Sequence, residues 1–134
     1  MTTSGPSKPI PDEANRLAQF VENHLGEQLR SIVWYDQGDF EILYGREDVM
    51  DEYTSEEVDD VVDELALEAR ETAIKESLYT HGSLACTVRC FEGGIEMHFI
   101  VGEGEGVAVG LDPAAFVTHD TFLGRCLEEA DAAD

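Results

Sequence analysis

The side chains best suited to metal binding or nucleophilic catalysis form two pairs, Cys86 with Cys90 and His119 with Cys126. Cys86 and Cys90 lie on one predicted strand, where residues four apart share a face but stand about 13 Å apart, too far to bind one Zn²⁺. His119 and Cys126 lie about 10 Å apart along a predicted helix, whereas a catalytic Cys–His pair needs hydrogen-bond contact. We therefore expect no metal site, no catalytic residue and no enzymatic activity.

The glycine-rich segment 102–106 (GEGEG) superficially resembles a phosphate-binding loop. Such loops place backbone N–H groups at the start of a helix that follows a strand. Here the glycines separate two predicted strands, and the carboxylates of Glu103 and Glu105 would repel a phosphate. The segment therefore predicts a hairpin turn, and no cofactor is expected.

Arg46, in the polar segment 45–53, could anchor an anionic ligand beside Tyr53. The alternative, which we favour, is a structural arginine that ties this segment to nearby carboxylates. Pairs of carboxylates are not informative by themselves, because 30 Asp and Glu residues supply many such pairs by chance. The scarce Arg and His residues are therefore the better markers of a functional site.

The two predicted strands that flank the glycine pair at 93–94 (ACTVRCF and IEMHFIV) form a hairpin with one apolar face. Pairing the strands around these glycines sets Cys86 opposite Val101 and Cys90 opposite Met97. Because every side chain on this face is apolar, it predicts part of the core. With no export signal in the chain, the cysteines are expected to be reduced, buried core residues.

The opposite face of this hairpin carries Thr87, Arg89 and Phe91 together with His98, and it sets Arg89 diagonal to Glu96 as a cross-strand ion pair. One interpretation is a second buried face that is covered by a helix, with Arg89 satisfied locally. The other is a partner interface, because a mixture of Arg, His and aromatic residues suits a partly polar protein contact. The residues alone leave both interpretations open.

The chain has 134 residues and a formal net charge of −22, from 30 acidic and eight basic residues. Its hydrophobic fraction of 43% and its regular apolar periods argue against a disordered acidic tail. Molar salt screens self-repulsion on this scale, so we expect a folded protein of a salt-loaded, halophilic cell. The basic residues are scattered singly, which argues against direct nucleic-acid binding.

The chain shows no signal for membrane insertion or export. No apolar run reaches the ~18 residues of a membrane span, and the N-terminus lacks the apolar core of a signal peptide. We therefore expect a cytoplasmic protein without membrane contact. Residues 1–9 predict a disordered lead-in, residues 10–130 a single domain, and residues 131–134 a short acidic tail.

Apolar periodicity predicts eight elements in the order α-β-β-α-β-β-β-α. The first helix begins at Pro11 and carries an apolar stripe as far as Leu29, and a tight hairpin turn follows at Gln37–Gly38. The short connections within each group of strands require antiparallel pairing. We therefore expect an α+β fold with a single five-stranded antiparallel sheet and three helices, which cover one or both faces.

Two helices have recognisable start signals. Thr54 and Glu57 form a T-x-x-E capping box for the second helix, whose charged face, including Glu64 and Glu68, is expected to be solvated. The closing helix is expected to begin with Asp112 as its N-cap and to run to about Glu129.

The element order resembles the roadblock/LC7 branch of the profilin-like folds over roughly residues 12–130. The segments YGREDVMDEYTSEEVDDVVDEL and TVRCFEGGIEMHF are also similar to those of small acidic haloarchaeal proteins, a resemblance that brings no activity with it. In roadblock-like folds, the strand that corresponds to ACTVRCF lies at the sheet edge, where a partner or a second copy pairs alongside the second helix.

The resemblance implies a non-enzymatic protein–protein interaction or regulatory module that acts as a homodimer through residues 58–75 and 86–91. The residues assigned to this interface are Thr87, Arg89, Phe91, His98, Val62 and Leu65. The alternative is a small-ligand-binding sensor domain with a pocket between sheet and helix, because related folds hold ligands there.

Overall fold

A computed structural model describes residues 9–115, 125–127 and 129–130, and it shows an α+β fold. The strands are β1 (Leu29–Asp36), β2 (Asp39–Gly45), β3 (Cys86–Phe91), β4 (Gly94–Gly102) and β5 (Glu105–Leu111). They form one antiparallel sheet, as the short connections predicted, and its spatial order is β2-β1-β5-β4-β3. β2 and β3 are therefore the two edge strands.

The helices with defined bounds are α1 (Asp12–Leu25), α2 (Glu47–Met50), α3 (Ser55–Arg70) and α4 (Thr72–Leu78). α3 begins at the predicted capping box, in which Thr54 and Glu57 each accept a hydrogen bond from the other's backbone N–H. α1 is shorter than the apolar stripe predicted. Gly26, with a φ of 55°, ends it, and Leu29 is the first residue of β1.

Helices pack on both faces of the sheet. α1 covers one face, where Ile32, Trp34 and Val109 are buried with it in one core cluster. α3 covers the other face and shares a second cluster with Tyr35 and Ala108. Because successive strand residues point to opposite faces, β1 and β5 contribute to both cores. The sheet is therefore the middle layer of three.

Two predicted hairpin turns are confirmed. The β1–β2 turn at Gln37 and Gly38 has φ angles of 52° and 100°, as a two-residue turn that fits the twist of a hairpin requires. The GEGEG segment links β4 to β5 through a tight turn at Glu103 and Gly104.

The register of the β3–β4 hairpin is two residues away from the predicted one. The turn lies at Glu92 and Gly93. In the backbone register, Cys86 is therefore opposite Phe99, and Arg89 is directly opposite Glu96. A shift of two residues keeps every side chain on its predicted face, because the side-chain period of a strand is two.

The prediction of buried cysteines is wrong. Cys90 and Cys126 are exposed and Cys86 is only partly buried, although all three are free thiols. Val88, which lies on the same face of β3 between two of them, is 43% exposed. The reason is that β3 is an edge strand, and the core under α1 is built from β1, β4 and β5.

The predicted closing helix lies mostly outside the described residues, with residues 114–115, 125–127 and 129–130 helical. The predicted lead-in and acidic tail also lie outside them, apart from Pro9. In the part of the chain that the structure describes, no helix combines the length and apolarity that a membrane crossing needs.

Candidate functional site

A polar cluster lies between α3 and the sheet, centred on His98 of β4. The His98 side chain is 3% exposed, and its Nδ1 lies 2.5 Å from Oε1 of Glu68 on α3. Its Nε2 contacts the hydroxyl of Tyr35 on β1, and this hydroxyl donates to the carbonyl of Leu65 at 3.2 Å. The imidazole therefore joins two strands to the helix.

Glu68 is ionised in this cluster. Burial acts to raise the pKa of its carboxyl group, but hydrogen bonds from His98 and Arg89 outweigh burial and hold the pKa below its ordinary value. Burial and the charge of Glu68 raise the pKa of Tyr35 well above its usual range, which keeps the hydroxyl protonated. The Tyr35 side chain is fully buried, so this Tyr–His–Glu chain fixes α3 on the sheet rather than exposing a reactive atom.

Arg89 of β3 extends the cluster toward solvent. Its guanidinium donates two hydrogen bonds to Glu64, each at 2.7 Å, and lies 3.2 Å from Glu68. Thr87 also donates to Glu68, at 3.1 Å. Two predictions are thereby corrected. The Glu68 side chain is 11% exposed and packs against the sheet, whereas Glu64 stays about half exposed, and Arg89 forms its ion pairs with these two carboxylates rather than with Glu96.

The predicted interface residues separate into two groups. Val62 and Leu65 are 2% and 5% exposed and pack on the sheet, so the α3 stripe that contains them is core and not a contact surface. His98 is buried and Thr87 is partly buried beneath the same helix. Phe91, at the end of β3, is 59% exposed.

The structure places Arg46 in an internal network. It donates to both carboxylate oxygens of Asp112, at 2.8 and 3.0 Å, and to Asp48 and the Glu27 carbonyl. The hydrogen bonds from Arg46 hold the pKa of Asp112 below its usual range. These contacts match the favoured alternative, a structural arginine, and they show the Asp112 side chain binding arginines.

Tyr53, the other residue considered for anion binding, lines a cleft of about 600 Å³ on the α3 face of the sheet. Val58, Val61 and Leu65 of α3 form one wall of the cleft, and the segment 49–53 forms another. The sheet contributes the floor, with Ser31, Val33 and Ala108 among its residues. A volume of this size is typical of sites for small organic ligands.

Glu96 of β4 also lines the cleft. The sequence suggested it only as an ion-pair partner of Arg89 and not as a site residue. Its carboxylate lies over Gly110, where an added Cβ would stand 3.1 Å from Oε2 of Glu96 and 2.7 Å from the hydroxyl oxygen of Ser31. Within the described residues, this carboxylate accepts no hydrogen bond. Burial raises its pKa, against the opposing charges of Arg30 and Arg89.

One signal in the sequence could have located this cleft. In β5 the residues that face α3 are Gly106, Ala108 and Gly110, whereas those that face α1 are larger. Small side chains at alternate positions of a central strand leave space above one face of the sheet. Where a helix crosses part of that face, the remaining space becomes a cleft.

A second candidate surface is the free edge of β3. Residues 77–91 are the longest stretch of the chain without Asp or Glu. Four large apolar side chains in this stretch are exposed. Two lie on β3 (Val88 and Phe91), and two lie at the end of α4 and just after it (Leu78 and Tyr79). The opposite edge strand, β2, carries Asp39 and Glu41.

A family model described as "Domain of unknown function (DUF7522)" matches residues 15–131. A search of curated proteins finds no match.

Proposed function

The chain belongs to the DUF7522 family, and we propose that it is a non-enzymatic protein–protein interaction module that forms a homodimer along the edge of β3. The observation that carries the proposal is the exposed, acid-free edge of this strand. An edge strand offers unpaired backbone N–H and C=O groups to a further strand, and soluble proteins commonly protect such edges with charges. β2 carries two carboxylates and β3 carries none.

Electrostatics favour a second copy of the chain at this edge. Two molecules that each carry a net charge of −22 repel each other over most of their surfaces. They approach at least cost where neither presents carboxylates, and residues 77–91 are the longest such stretch. The only charged side chain of β3, Arg89, is neutralised within its own molecule by Glu64 and Glu68.

A two-fold axis beside β3 would pair the strand with its own copy in the antiparallel direction and continue the sheet into the second molecule. Such an interface is isologous, so the same residues serve both subunits. The exposed side chains of Val88 and Phe91 would then lose contact with water, which favours association. The interface thus uses residues 86–91 of the predicted surface and leaves out the buried stripe of α3.

We also propose that the chain is related to roadblock/LC7 domains, and the strand order supports this proposal. In those domains the strand corresponding to β3 is at the sheet edge and pairs with a partner or a second copy. The excess of acidic residues likewise supports a proposal that the protein works in a salt-loaded cytoplasm, where counterions screen its charge.

Size-exclusion chromatography with light scattering in molar KCl tests the dimer. We expect twice the chain mass of 14.8 kDa for the natural protein. Val88→Glu and Phe91→Glu place a carboxylate on the free edge, and each should raise the dimer dissociation constant on the order of tenfold or more. The matched control is Phe20→Glu on α1, which changes an equally exposed aromatic residue and should leave the dimer intact.

A natural protein that is monomeric at every concentration would overturn the proposal. The same holds if both edge variants dimerise as tightly as Phe20→Glu. The alternative function, a small-ligand sensor, is supported by a separate observation, the cleft beneath α3.

A further inference from the structure

We infer that the cleft between α3 and the sheet binds a small organic cation, with an ammonium group held by Glu96 and an apolar body held by the walls. This inference gives chemical content to the sensor alternative, and it does not depend on dimerisation. It rests on three features of the cleft: its unbalanced charge, the shape of its floor and the character of its walls.

The charges at the cleft leave one carboxylate without a bonded cation. Arg30 and Glu52 both line the cleft, and Arg30 donates to Glu52 at 3.2 Å and lies 3.5 Å from Asp112. Arg89 is held by Glu64 and Glu68. Both arginines are therefore committed to other carboxylates, and Glu96 accepts no hydrogen bond within the described chain.

This arrangement selects a cation over an anion. An anionic ligand would have to displace a carboxylate from one of the two arginines, and it would meet the Glu96 charge. A ligand ammonium group would instead supply the missing donor, and hydrogen bonds between ionised partners are the stronger ones. The partial burial that raises the pKa of Glu96 also makes its negative charge costly until a cation joins it.

The floor of the cleft is shaped for a small polar group. Gly110 has no side chain, which allows the Glu96 carboxylate and the Ser31 hydroxyl oxygen to converge above its backbone. A residue with a side chain at position 110 would fill the space between these two groups, because its Cβ would stand 2.7 Å from the Ser31 oxygen. An ammonium group with three donors can be shared between a carboxylate and a hydroxyl oxygen.

The walls suit an apolar ligand body. Val58 and Val61 of α3 form one wall, and Met50, in the segment before α3, also lines the cleft. The aromatic rings of Tyr53 and Phe91 also line the cleft, and aromatic faces attract cations as well as apolar groups. A volume of about 600 Å³ accommodates a compact arylalkyl amine.

Three probes of similar size but different charge test this inference: 2-phenylethylammonium, 2-phenylethanol and phenylacetate. Binding is followed by calorimetry and by shifts of backbone amide NMR signals over a series of KCl concentrations. We expect the cation to bind most tightly and the anion most weakly, with the largest signal changes at residues of β4, β5 and α3 that line the cleft. Affinity for the cation should fall as KCl rises.

Two variants connect binding to the cleft. Glu96→Gln keeps the shape of the side chain but removes its charge, and it should weaken 2-phenylethylammonium binding on the order of tenfold or more while leaving 2-phenylethanol unaffected. Val61→Lys adds an ammonium group at an exposed position of the wall, and it should weaken the binding of 2-phenylethylammonium more than that of 2-phenylethanol. Glu103→Gln, in the β4–β5 turn, is the matched control and should bind as the natural protein does.

Equal binding of the three probes, preference for phenylacetate, or an undiminished affinity in Glu96→Gln would each overturn the inference. The same measurements on Val88→Glu separate it from the proposed dimer. Cation binding by this variant shows that the cleft functions without a partner, whatever the oligomeric state. Loss of cation binding in Val88→Glu but not in Phe20→Glu would show that the cleft is incomplete in one molecule, against the inference as stated.

Discussion

Nδ1 of His98 lies 2.5 Å from Oε1 of Glu68, and this contact joins β4 to the last turn of α3. The other ring nitrogen of His98 contacts the Tyr35 hydroxyl. Three elements that are distant in sequence are therefore held by one imidazole. The cleft that we assign to a ligand lies on the same face of the sheet, so the position of α3 that this contact fixes also sets the width of the cleft.

Glu68→Gln should destabilise the protein by about 2–3 kcal/mol, because it removes a charged acceptor from three buried or partly buried donors, His98, Thr87 and Arg89. The natural protein should also lose stability in acid. The pKa of Glu68 is lowered on folding, so its contribution is complete above the ordinary value of 4.5 and is lost as pH falls through the lower folded-state pKa. Chemical unfolding at several pH values measures both effects.

Asp60→Asn, on the exposed side of α3, is the matched control for Glu68→Gln. It should change stability by less than about 0.5 kcal/mol and should keep the acid dependence. If the two variants were equally stable, the His98–Glu68 contact would contribute nothing to folding.

Tyr35→Phe should remove the loss of stability that the natural protein shows in alkali. The pKa of Tyr35 is raised on folding, first by burial and then by the charge of Glu68. Its contribution is therefore complete below the ordinary value of about 10 and is lost as pH rises above it. Thermal unfolding between neutral and strongly alkaline pH, compared with Tyr53→Phe as an exposed control, measures this difference.

Gly106→Ala should be strongly destabilising, on the order of 2–4 kcal/mol, because it overpacks the interior. An added Cβ would stand 2.6 Å from both the Phe99 carbonyl oxygen and the Tyr35 hydroxyl oxygen. Gly93→Ala is the control, since its Cβ would meet no atom within 4 Å. Similar melting temperatures for the two variants would contradict the close approach of β5 to Tyr35.

Below about 0.1 M salt, where the Debye length exceeds about 10 Å, the melting temperature should drop markedly relative to molar KCl. The physical reason is repulsion among the carboxylates that give the net charge of −22. Scanning calorimetry over a KCl series measures the effect. A melting temperature that does not change with salt would contradict adaptation to a salt-loaded cell.

The elements and their faces were predictable because they depend on short-range patterns. The capping box at Thr54 and the turn at Gln37–Gly38 act within a few residues, and the structure confirms both. The face of each β3 and β4 residue was also correct, since a register error of two residues does not change it. Burial of Cys90 was predicted wrongly because an apolar pattern does not show that the core ends before an edge strand.

The sequence by itself determined the order of the elements, the antiparallel sheet and the acid-free stretch that becomes the β3 edge. The tertiary structure alone decided which carboxylates on α3 meet His98 and Arg89, and that Glu96 remains without such a partner. The reason is that helix and strand periods are local, whereas the pairing of charges depends on how α3 lies across the sheet. Among 30 acidic residues, only that placement distinguishes Glu68 and Glu96 from those in solvent.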